Sequence, residues 1–138
     1  MFSRILVPVD LGHLESLARA LDVAAEMAKA HTAEVVYVGV YGTLRSPAAA
    51  NPQEYTDKLT AFSEQQAAAH GISTRSLPVF SHDPQAELTS LLLSAATDAQ
   101  ADVIVMASHI PGWVEHVFHS NAGYIASHAP ISVFVIRT

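Results

Sequence analysis

Apolar residues along the chain follow two alternating rhythms. Short β-branched runs come first: Ile5-Leu6-Val7-Pro8-Val9, ending at Asp10, and Glu34-Val35-Val36-Tyr37-Val38-Gly39-Val40. Neither alternates apolar with polar residues, as expected of strands buried on both faces of a parallel sheet. Between them, Leu14, Leu17, Leu21, Ala24, Ala25 and Ala28 fall at helical spacing and predict one buried stripe. Residues 41–53 read as a loop, after which Tyr55, Leu59 and Phe62 mark the inner face of a second helix that stops at His70-Gly71. Ile72 to Phe80 predicts a third strand, which Pro78 confines to a sheet edge or to the strand's last residues.

Asp83-Pro84 is a start signal for a third helix, with Asp as cap and Pro in the first turn, and Leu88, Leu91, Leu92, Ala95 and Ala99 as its buried stripe. A fourth strand, Asp102-Val103-Ile104-Val105-Met106, is followed by a loop from Ala107 to about Phe118 and a short helix from Ser120 to His128. Pro130 breaks that helix, and Ile131-Ser132-Val133-Phe134-Val135-Ile136 is the last strand. Strictly alternating strands and helices predict an α/β fold: a five-stranded parallel sheet, doubly wound, with helices on both faces. The whole chain, 1–138, reads as one domain.

Composition narrows the functional classes. Half the residues are apolar and 14% are charged, which argues against disorder. The net charge of −6, without a Lys/Arg cluster, argues against nucleic acid as a partner. The absence of cysteine removes disulfides, thiol catalysis and cysteine metal sites. No apolar run is long enough to cross a bilayer, and Met1 to Asp10 lacks the apolar region of a secretion signal, so a soluble, cytoplasmic protein is expected.

In an open α/β sheet, ligands bind beyond the C-terminal strand ends. Those ends are Pro8-Val9-Asp10, Val38-Gly39-Val40, Ser81-His82-Asp83 and, after Met106, Ala107-Ser108-His109; His119-Ser120-Asn121 precedes the fourth helix. By position alone, Asp10 is a helix or turn cap and Ser120 the cap of the fourth helix. His109, His116 and His119, with His82, contain enough imidazoles for a zinc or nickel site. The plainer reading is a polar loop, preferred because His116 lies outside a usual ligand-pair spacing and no carboxylate stands behind the histidines. Trp113 suits either a partner anchor or inward packing. Ser108 or Ser120 with His109 and Asp83 imitates a hydrolytic triad, but no G-x-S-x-G elbow supports it. G-x-G-x-x-G and G-x-x-x-x-G-K-S/T are both missing.

Ile5-Leu6-Val7-Pro8-Val9-Asp10 at the start and His128-Ala129-Pro130-Ile131-Ser132-Val133 at the end resemble the universal stress protein family, whose members carry I-L-V-P-V-D and H-A-P-x-x-V there. Between these, the family carries G-x2-G-x9-G-S/T after the fourth strand. The three glycines correspond here to Ala107, Ile110 and His119, with a second spacer of eight residues. Ala107-Ser108-His109-Ile110-Pro111 and Ser120-Asn121 resemble a branch that reads A-S-H-x-P and then G-S-N, from which His119 departs.

The resemblance implies an adenine nucleotide alpha hydrolase-like fold and a bound ATP or AMP, with magnesium at the phosphates of ATP. It implies that Asp10, after Pro8 and Val9, lies near adenine, ribose and metal, and that Val40 meets adenine through its backbone. It also implies that the 106–110 and 119–121 segments hold phosphates. A non-glycine residue where the motif needs positive φ costs about 1–3 kcal/mol, or about one to two orders of magnitude in affinity, which an imidazole at His119 can partly recover by donating to phosphate. A homodimer through Val133, Phe134, Val135 and Ile136 is implied as well. With no activated nucleophile or paired acid and base in view, the expected role is regulatory rather than enzymatic, with at most slow ATP hydrolysis. A dimeric interaction module that has lost nucleotide binding is the alternative.

Overall fold

The computed structural model describes residues 1–109 and 121–137, with only the backbone of Gln85 and Asn121. Five strands, β1 (Arg4–Pro8), β2 (Glu34–Tyr41), β3 (Ser73–Phe80), β4 (Val103–Ala107) and β5 (Ser132–Ile136), form one sheet in the order β3-β2-β1-β4-β5. Every pairing is parallel. The helices are α1 (Ala18–His31), α2 (Pro52–His70), α3 (Pro84–Asp98) and α4 (Asn121–His128).

The strand pattern has a simple cause. Side chains alternate across a strand, so an unbroken apolar run supplies both faces of the sheet at once. Ile5, Val7, Val9, Val35, Tyr37, Val103 and Val105 enter one core with α1 and α2, through Leu17, Leu21, Ala24, Tyr55, Leu59 and Phe62. Leu6, Val36, Val38, Ile104 and Met106 enter the other with α3 and α4, through Leu88, Leu92, Ala95, Ala122 and Ile125. The sheet is therefore doubly wound, as the sequence predicts. Leu91 is only half-buried, and Ala96 lies in the core in its place.

Element ends follow local chemistry. Asn51 accepts from the Glu54 amide at 2.9 Å and Pro52 opens α2, so this helix starts just before the end of the expected loop. Gly71, at φ 65°, closes it. Pro78 sits in β3 at the sheet edge, where a missing N–H is tolerated. Asp102 lies just before β4, and its carboxylate accepts from the amides of Ser3 and Arg4 at 2.8 and 3.2 Å, which fixes the start of β1.

The largest departure is at the first helix. The stripe from Leu14 predicts α-helix, but Leu11–Leu17 is a 3-10 segment interrupted at His13, and α-helix begins at Ala18. The side chain of Asp10 draws the Gly12 amide into a tight turn, and His13 leaves the helical region at φ −143°, ψ 47°.

The C-cap of α1 is Thr32, at φ 53° and ψ 46°, a left-handed conformation that disfavours a β-branched residue. Thr32→Gly is expected to raise stability by about 1 kcal/mol in a urea titration, because glycine adopts this conformation without a Cβ clash.

Candidate functional site

The site starts where β1 stops. The Val9 amide donates to the Val38 carbonyl at 2.9 Å, carrying the β1–β2 pairing to its last register, and the chain then turns at Asp10. Asp10 Oδ1 accepts from the Gly12 amide at 3.0 Å, and Oδ2 lies 2.9 Å from His13 Nδ1. The His13 amide closes the turn on the Asp10 carbonyl at 3.0 Å. The interruption of the 3-10 segment is thus what folds the imidazole back onto the carboxylate. Asp10 is a cap, as its position suggested, and each oxygen keeps a lone pair for another donor.

Beyond Asp10 lies a cavity of about 470 Å³. Val9, Asp10 and Val40 form its strand-end floor, the 42–48 loop one wall, Tyr55 of α2 another, and His82, Asp83 and Pro84 the rim before α3. That rim is built locally: the Ser81 amide donates to the Tyr41 carbonyl at 2.9 Å and the Ser81 hydroxyl donates to Glu87. Glu87 is held below the usual carboxylate range chiefly by that hydroxyl and then by the Asp83 amide. Asp83 caps α3 through the Ala86 amide at 3.3 Å.

Aromatic rings line the β2 side. Tyr41 and Tyr55 stack with centroids 5.0 Å apart and planes 24° apart, and Phe80 meets Tyr41 edge-on at 5.7 Å. Burial pushes the Tyr55 phenol well above its ordinary pKa, and the charge of Asp10 adds to the shift. Tyr55 reaches this position only because Gly39 has no side chain: a Cβ there would overlap the Tyr55 hydroxyl.

Of the residues expected at the site, Val9, Asp10 and Val40 come together around this cavity. Pro8 is buried directly before them in β1. Met106 and Ala107 are buried in β4, while Ser108 is half-buried, donating its amide to the Ile136 carbonyl at 2.8 Å, and His109 is exposed. None of these four lines the cavity as the described residues form it. Asn121 is the first residue of α4; Ile110, His116, His119 and Ser120, like Trp113, lie outside the described residues. Among the described residues no three His, Asp or Glu side chains gather as a metal site.

Sequence reasoning missed His13, Tyr41 and the site-facing role of Tyr55. For His13 the signal was its place three residues after Asp10. Tyr55 was legible only as a core residue of α2, because a helical stripe does not show which of its members ends at a cavity.

A sequence profile of the universal stress protein family matches residues 1–137. The chain belongs to the universal stress protein family. Solved relatives have the same fold. A universal stress protein in complex with cAMP is 19% identical, with a TM-score of 0.70 over 98% of this chain and 97% of the other. One from Archaeoglobus fulgidus in complex with dAMP is 17% identical, with a TM-score of 0.67 over 97% of each chain. A family protein from Arabidopsis thaliana with AMP bound is 14% identical, with a TM-score of 0.63 over 98% of this chain and 90% of the other.

Within this family fold, the closeness of Gly39 and Tyr55 is directly testable. Gly39→Ala is expected to destabilise the protein by about 1–3 kcal/mol, the usual penalty for forcing extra volume into a packed site. Urea titration followed by circular dichroism measures it; an unchanged midpoint would show that Tyr55 moves aside freely.

Proposed function

We propose that this domain binds an adenine nucleotide, ATP or AMP, as a regulatory ligand in stress response or signalling, in the cavity beyond β1 and β2. The observation that carries this reading is that Asp10 and Val40, the residues assigned to the nucleoside by family resemblance, line one cavity of about 470 Å³ together with Val9. That volume is within the range of small-molecule sites. Three relatives with cAMP, dAMP and AMP bound support the ligand class. Asp10 supplies acceptors for nucleoside hydroxyl or amino donors, and Val40 an apolar strand end for the base. The phosphates extend toward Ser108, His109 and the first amides of α4 at Asn121, which favour an anion.

Magnesium fits this donor set as a companion of the phosphates. Asp10 offers one carboxylate, and Mg²⁺ commonly takes one or two carboxylates with phosphate oxygens and water. The nucleotide's role is to be sensed rather than consumed, with any hydrolysis slow, and the domain acts in the cytoplasm.

The alternative, an interaction module without a nucleotide, is favoured by one observation. Ala107, which replaces the first motif glycine, is buried at the end of β4 and faces the α1–α2 core, not the cavity. Calorimetry with AMP and adenosine separates the two. Binding of both is expected, and Asp10→Asn, which keeps an acceptor for the Gly12 amide but loses the charge, is expected to weaken both about tenfold. No heat from wild type at millimolar AMP would establish the interaction module.

Either reading uses a homodimer through β5. Among the described residues this strand is a sheet edge, with Phe134 46% and Val135 37% exposed as an apolar rim. Val135→Lys is expected to give monomers in sedimentation velocity, where the wild type sediments as a dimer. A wild-type monomer at micromolar concentration would refute the dimer.

A further inference from the structure

Tyr55 is 5% exposed as a residue, but its hydroxyl oxygen is not among the sealed, unpartnered side-chain atoms of the described residues. A hydroxyl that keeps access to a cavity can exchange water for a ligand's polar group, whereas a sealed one cannot. Tyr37 provides the contrast. Its unpartnered hydroxyl is sealed inside the core against Phe62, where nothing can reach it. Tyr55 instead stands in the wall of the cavity, alongside Asp10.

Three features fix that hydroxyl in place. Tyr41 stacks on the ring, the α2 backbone carries the residue, and Gly39 opens the β2 surface where the hydroxyl rests. A phenylalanine would bury the same ring, so apolar packing alone does not explain the phenol.

We infer that Tyr55 is a specificity-determining residue whose hydroxyl, together with the Asp10 carboxylate, holds a hydroxyl group of the ligand. Asp10 only accepts, and a phenol can donate. A ligand hydroxyl does both at one atom, giving its proton to Asp10 and accepting from Tyr55. Hydroxyl-bearing ligands, of which ribose is the nucleotide's example, are thereby preferred over deoxy analogues. The inference rests on the nucleotide reading for its ligand, and adds to it a residue from α2, an element that the strand-end motifs do not include.

Calorimetry with adenosine, 2′-deoxyadenosine and 3′-deoxyadenosine on wild type and Tyr55→Phe tests it. Wild type is expected to bind one deoxynucleoside about tenfold more weakly than adenosine, the size of one good hydrogen bond. Tyr55→Phe should bind adenosine about tenfold more weakly and lose that discrimination, while melting close to wild type because the ring packing on Tyr41 is kept. Four results would each overturn the assignment: equal adenosine affinity in both proteins, no preference by wild type, discrimination retained in Tyr55→Phe, or a melting temperature lowered by several degrees. If wild type binds no adenine nucleoside, the nucleotide reading falls separately. D-ribose, titrated against both proteins and read at the Gly39 and Tyr55 amides by NMR, then decides Tyr55. Saturable shifts in wild type that Tyr55→Phe lacks sustain the assignment, and identical responses, including none, reject it.

Discussion

β1 is buried on both faces and paired on both edges, and the rest of the molecule is arranged around that burial. Its side chains enter the α1–α2 core through Ile5, Val7 and Val9 and the α3–α4 core through Leu6. Its backbone bonds to β2 on one side and β4 on the other. A strand enclosed in this way has no freedom to slip, since a shift of one residue would exchange its two faces. Where β1 ends, the chain must leave the sheet at a fixed point, and that point carries Asp10.

The turn at Asp10 converts this constraint into a site. The carboxylate is consumed in part by the chain itself, taking the Gly12 amide and the His13 imidazole. These contacts hold the carboxylate in one orientation beneath the cavity. The same turn delays α1 until Ala18. A local irregularity in the first helix and a fixed acceptor in the site are thus one structural event.

The cavity leans toward β2 and β3. Its aromatic wall of Tyr41 and Tyr55 and its rim at His82–Pro84 come from α2, the end of β2 and the β3–α3 turn, while Met106 and Ala107 remain within the packed end of β4. The cavity on this side and the β4–α4 end are separate parts of the fold. The cavity beside Asp10 is formed by residues other than those that replace the motif glycines.

Much of this was legible in the sequence. Short β-branched apolar runs without alternation read as strands covered on both faces, and stripes at helical spacing supply the covers, so the doubly wound sheet was legible from patterning and residue type. Pro78 announced an edge, Gly71 a helix stop and Asp83-Pro84 a helix start, because each residue type restricts its own backbone. Asp10 and Val40 could be placed at strand ends for the same reason. Tertiary structure alone decided what meets at those ends. His13 turns back to Asp10 because a side-chain hydrogen bond overrides the helical stripe, and the ring of Tyr55 reaches the cavity because Gly39, sixteen positions earlier and on another element, leaves room for it. Periodicity records which face of an element is buried; it does not record which buried side chain ends at a void, since that depends on packing between elements distant in the chain.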